Sequence, residues 1–258
     1  MLPFLVLLVV LAIVPRLILA MRLWRIQFIP RVSRVIPEGD IPAELNVIFH
    51  AAADLLVPLG FTYSHTAHID QCEAHARSPF VVQAYNHPET YSYAYVRPAL
   101  YPAGDRIVDV TFSTVYADGR MVATSDGMAH REFPPPPWYY SHDHYYGQLE
   151  QQWQAHQQTL TAFSGEPLPC TPDNATASVN RLFEALYSRA QELGWLCPAA
   201  QQRAWRLRPL AALRWAWQIM AGDSKRSAEL RGKETPEQAM RPAVIAAHAA
   251  AFALQREH

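Results

Sequence analysis

Residues 107–124 read IVDVTFSTVYADGRMVAT, and their alternation decides the class of the fold. Val108, Val110, Phe112, Thr114 and Tyr116 keep a two-residue period, as a half-buried strand requires. Ala117-Asp118-Gly119-Arg120 is a turn signal, because glycine supplies the left-handed backbone of a tight reversal. Met121–Thr124 then returns as the next strand. Upstream, Phe80–His87 and Tyr91–Arg97 flank a second turn signal, Asn86-His87-Pro88-Glu89-Thr90. Together these segments predict an antiparallel meander of four or five strands. Phe61–Ser64 reads as a short strand, and His65–Ser78 as a loop with helical turns.

Helical patterns surround the meander. Leu45, Ile48, Phe49, Ala52, Leu55 and Leu56 share one face of a helix from Pro42 to about Val57, which Pro58 and Gly60 end. A second helix is expected from an N-cap at Ser141 to about Phe163. Its seam holds Tyr146, Leu149, Trp153, His156, Leu160 and Phe163, so His156 reads as a hydrogen-bonded core histidine. Ala175 to Gly194 predicts a third helix, and alanine-rich Pro236 to Gln255 a last one. Phe133-Pro134-Pro135-Pro136-Pro137-Trp138 reads as a stiff spacer. Helix, meander and further helices predict an α+β class, with several helices packed on one face of the sheet.

Leu2 to Met21 reads LPFLVLLVVLAIVPRLILAM, close to the roughly 20 apolar residues that span a bilayer. Pro15-Arg16 interrupts it, and no basic residue precedes Arg16, which disfavours a signal peptide. The expectation is a single-pass transmembrane anchor over 1–21 and a basic juxtamembrane linker over 22–41. An α+β domain over 42–198 and a helical, Trp/Arg-rich extension over 199–258 would follow. Arg22, Arg25, Arg31 and Arg34 after the run place the C-terminal domain in the cytoplasm by the positive-inside rule. Free thiols agree, since a helix of about 30 Å between Cys170 and Cys197 opposes a disulfide.

The net charge of −1 conceals segregation: residues 1–34 carry +5, residues 35–198 carry −11 and residues 199–258 carry +5. An acidic middle between basic ends excludes nucleic acid as the main partner and fits basic ends lying near anionic lipid. Only two lysines, Lys225 and Lys233, stand against twenty arginines, a bias found in GC-rich bacterial genomes.

GxSxG, HExxH, GxxxxGK[ST] and GxGxxG are all missing. Nine of eleven histidines lie in the acidic middle. His65, His68 and Asp70, with His142 and His144, form the one candidate set for a divalent transition metal. Tyr91, Tyr93 and Tyr95 fall on one side of a strand and are candidates for ligand binding. Residues 203–217, RAWRLRPLAALRWAW, alternate arginine with tryptophan as interfacial helices do. Arg22, Trp24, Arg25, Trp205, Arg206, Arg214 and Trp215 are therefore candidates for membrane-surface contact.

The sequence reading favours a non-enzymatic, membrane-anchored domain without a cofactor. It would bind a partner protein or apolar ligand at the inner leaflet, with membrane lipid as a further partner. The alternative is a metal-dependent hydrolase built on the His/Asp cluster.

Overall fold

The computed structural model describes residues 2–29, 31–41, 43–70, 80–103, 106–126, 133, 135–144, 148–199 and 204–220. Helix α1 (Leu2–Arg25) leads into strands β1 (Gln27–Phe28) and β2 (Ser33–Ile36). Helix α2 (Ala43–Leu56) precedes β3 (Thr62–Ile69), β4 (Phe80–His87), β5 (Ser92–Ala103), β6 (Arg106–Val115), β7 (Met121–Asp126) and β8 (Tyr139–His144). Then come α3 (Leu149–Thr161), α4 (Pro172–Glu192), β9 (Leu196–Pro198), β10 (Trp205–Leu207) and α5 (Pro209–Met220).

The architecture is α+β, with a sheet of seven strands instead of four or five. Strands β2 to β8 lie side by side in chain order. Every pairing is antiparallel except β7–β8. The turn at 117–120 forms as its residues dictate. Gly119 adopts φ 83°, its N–H donates to Tyr116 O, and Asp118 Oδ1 accepts from Arg120 N at 3.0 Å.

Two segments read as loop or helix are strands. Residues 62–69, expected mostly as loop, pair with β2 and β4, whose ladders satisfy their backbone. Ser141 does not cap a helix: residues 139–144 are extended and α3 begins after Gln148. A parallel neighbour needs a crossover, because a tight turn can only reverse the chain. The proline-rich segment supplies part of that crossover, with Phe133 buried near one end and Trp138 packed against Val115, Met121 and Leu182 at the other. The alanine-rich segment 236–255 lies outside the described residues.

Helices cover both sheet faces. Phe49, Ala52 and Leu56 of α2 and Trp153 of α3 meet Val81, Tyr85, Ala94, Val96, Val110 and Phe112 on one face. On the other, α4 carries Leu182 against Val115 and Met121. Asn180 of α4 also binds edge strand β2, accepting from Ser33 N at 2.6 Å and donating to Ser33 O at 3.1 Å. This occupies groups that an exposed edge would leave open to pairing.

Strands β1, β10 and β9 form a second, three-stranded sheet. Beside it, Ala20 and Leu23 of α1, Phe28, Phe133, Tyr187 and Ala190 of α4, and Ala212 and Ala216 of α5 share one core. Residues 22–41, expected as linker, thus contain two strands, and residues 204–220 are built into this core.

The transmembrane expectation is corrected by the same arrangement. Among the described residues no helix is long and apolar enough to cross a membrane. From Ile13 to Arg25, α1 carries Pro15 inside the helix and three arginines, Arg16, Arg22 and Arg25. Its buried residues face protein: Ala20 and Leu23 enter the core just described, and Arg16 lies 4.8 Å from the Trp217 ring of α5. One side of this part of α1 therefore serves helix packing, and the single-pass membrane localisation does not stand.

Candidate functional site

The densest polar chemistry lies between α3 and the sheet. His156 is fully buried, with Nε2 3.0 Å from Thr114 Oγ1 and Nδ1 3.0 Å from Thr124 Oγ1. Thr114 and Thr124 sit on adjacent strands β6 and β7, and the helical seam delivers the ring between them. The Thr114 hydroxyl meets Ser92 Oγ at 2.7 Å, and Thr90 Oγ1 donates to that Ser92 oxygen at 3.0 Å. Thr90 Oγ1 is also 3.1 Å from His87 Nδ1. A run of hydroxyls therefore joins two imidazoles, while Gln152 Nε2 donates to Val110 O at 2.8 Å and Thr124 O at 2.9 Å.

Burial, reinforced by nearby His142, pushes the His156 pKa down to about 3. Burial also lowers His87, against the opposing influence of Glu89 and a hydrogen bond to Leu59. At neutral pH the His156 ring is therefore neutral. A neutral ring with both nitrogens occupied and no solvent contact is poorly suited to acid–base exchange with a bound substrate. It fastens α3 to β6 and β7.

The tyrosine candidates separate. Tyr91 sits in the hairpin turn at φ 50° and is exposed. Tyr93 and Tyr95 stack at 5.6 Å on the α4 side of the sheet. Tyr93 is buried, donates to Thr171 O at 3.1 Å and accepts from Thr171 N at 3.0 Å. Burial raises both phenols well above their ordinary pKa, and it pushes the half-buried Cys170 thiol beside Tyr93 up to about 12. Tyr93 and Tyr95 lie beneath the segment entering α4 and do not face open solvent as a pair.

The metal candidates also separate. His65 and His68 are three residues apart on β3 and so project to opposite faces. His65 Nδ1 is 2.9 Å from Ser64 Oγ, while His68 Nδ1 lies 3.7 Å from Asp70 Oδ1, whose other oxygen pairs with Arg34. His142 and His144 are on β8, with four strands between them and β3. Among the described residues no three His, Cys, Asp or Glu side chains gather as a metal site.

Two of the candidate arginines meet tryptophan rings. Arg206 lies 5.8 Å from the Trp24 ring and Arg214 5.4 Å from Trp195. Trp215 is half-buried, 6.0 Å from Phe28 and 6.2 Å from Phe133, and Trp205 packs partly on the same core. Arg22 and Arg25 are exposed on α1.

Among the described residues, the outer sides of α1 and α5 carry exposed apolar side chains. Ile13, Val14, Leu17, Ile18 and Met21 recur at helical spacing with exposures of 38–52%. On α5, Leu210 is 81% and Trp217 47% exposed, and with Leu213 and Arg214 they line a groove of about 380 Å³. Leu210 and Trp217 both fall within the Trp/Arg-rich stretch 203–217, where tryptophan and arginine drew the argument and Leu210 did not. The available signal was a second apolar face: Ala211, Ala212 and Ala216 fill the inward one.

Comparison of the chain with protein-family models, with curated proteins and with solved structures finds no match in any of the three, so its function is read from its own geometry.

Proposed function

We propose that this chain is a binding domain, not a catalyst, and that it receives a partner protein on the outer face of α1 and α5. The observation carrying this reading is the pair of exposed apolar stripes on two helices packed side by side. Isolated exposed apolar side chains need no explanation, but several at helical spacing mark interaction surfaces. The densest polar cluster supports the same reading, being sealed and held neutral. The seven-stranded sheet and α4 act as the rigid base on which α1 and α5 are displayed.

Site-specific photo-crosslinking in cells producing the full chain tests this. A crosslinker at Ile18 and one at Leu210 should give the same discrete protein adducts. One at Gln154, exposed on α3, should give none of them. Adducts equally abundant from all three positions, or none from the first two, would remove the reading.

A further inference from the structure

We infer that the occupant of the α1–α5 face is an acidic amphipathic segment, an apolar seam edged by carboxylates; this rests on the docking reading above. Arg22 and Arg25 lie on α1, Arg206 on β10, Arg208 just before α5, and Arg214 on α5. No aspartate or glutamate occurs in α1, β1, β9, β10 or α5. Arg206 and Arg214 rest on tryptophan rings, which keep their positive charge. Arg22, Arg25 and Arg208 are exposed.

Apolar stripes among cations select a partner with the complementary pattern. Apolar residues at i, i+3, i+4 and i+7 would pack on Leu17, Ile18 and Met21 and enter the groove at Leu210, Leu213 and Trp217. Flanking carboxylates would meet the guanidinium groups, which hold carboxylates bidentately. A second copy of this chain is a poorer occupant, because a two-fold interface would oppose this arginine-rich surface to itself.

Two labelled peptides with one apolar helical seam, flanked by glutamate in one and lysine in the other, test this with the full chain. Fluorescence anisotropy should show saturable binding of the glutamate peptide, weakened by salt, and no binding of the lysine peptide. The double variant Arg25→Glu/Arg208→Glu should bind the glutamate peptide roughly tenfold more weakly and gain affinity for the lysine peptide. Both positions are exposed, so an unchanged melting curve verifies the fold. Equal binding of the two peptides overturns the inference. So does self-association in sedimentation with no peptide bound, or binding to phosphatidylglycerol vesicles with neither peptide bound. If these results go against it while Ile18 and Leu210 still crosslink to one protein, the acidic chemistry fails and the docking reading survives. If the crosslinks fail too, both fall.

Discussion

At His156 the surroundings decide the chemistry. Two threonine hydroxyls take both ring nitrogens, and burial holds the ring neutral with a pKa near 3. In the unfolded chain the ordinary value is about 6.5. Between these values the unfolded state binds a proton that the native state refuses, so stability falls as pH drops through that window and is insensitive to this group above it. The full loss is at most about 5 kcal/mol, and the lowered pKa values of His65 and His87 act in the same direction. Urea unfolding at pH 7, 5.5 and 4.5 should therefore show a steep decline that His156→Gln makes shallower; equal slopes would show that His156 does not govern it. At pH 7, His156→Ala should cost about 3–5 kcal/mol, from the cavity and the two hydroxyls left without the ring.

Among the elements, the joints depend on single side chains. Helix α2 ends through a short 3₁₀ turn at Val57–Leu59 and then Gly60 at φ 89°. A β-carbon there would meet His87 Nε2 at 3.0 Å and oblige a non-glycine residue to adopt a left-handed backbone. Gly60→Ala should lower stability by about 1–3 kcal/mol, read as a shifted urea midpoint with an unchanged slope. Thr171 caps α4 by accepting from Asn174 N at 3.2 Å, and Tyr93 grips the backbone of that same threonine. Tyr93→Phe should cost about 1–2 kcal/mol. Hydrogen exchange should accelerate first at Thr171 and the opening turn of α4; acceleration spread evenly over the sheet would contradict this account.

Across the whole molecule, the N- and C-terminal described segments are joined through one small core. Phe28 stands 5.5 Å from Phe133, which is 5.0 Å from Tyr187. These three aromatics join β1, the proline-rich crossover and α4, and Trp215 of α5 stands beside Phe28. Phe28→Ala should cost about 3–5 kcal/mol. Exchange protection should drop earlier in α1 and α5 than in β5–β7. If both regions lost protection together, the face proposed for docking would be no separate unit of stability.

What the sequence determined by itself is periodic and local. The alternation in 107–124, the turn at Asp118-Gly119 and the seams of α2, α3 and α4 depend on near neighbours, and His156 was legible on its seam for the same reason. The tertiary structure decided what depends on distant partners. Residues 62–69 became a strand because β2 and β4 flank them, and Tyr139–His144 because the crossover lays them beside β7. The metal candidates lay close in sequence or shared a composition, but strand order set them apart. Arginine and tryptophan near both ends suggested lipid; in three dimensions Arg206 meets Trp24 and Arg214 meets Trp195, since a guanidinium is drawn to an indole face wherever packing brings one within reach. Apolar spacing on α1 and α5 showed that each helix has faces to bury. Only the assembled fold decided which face was used and which was left exposed.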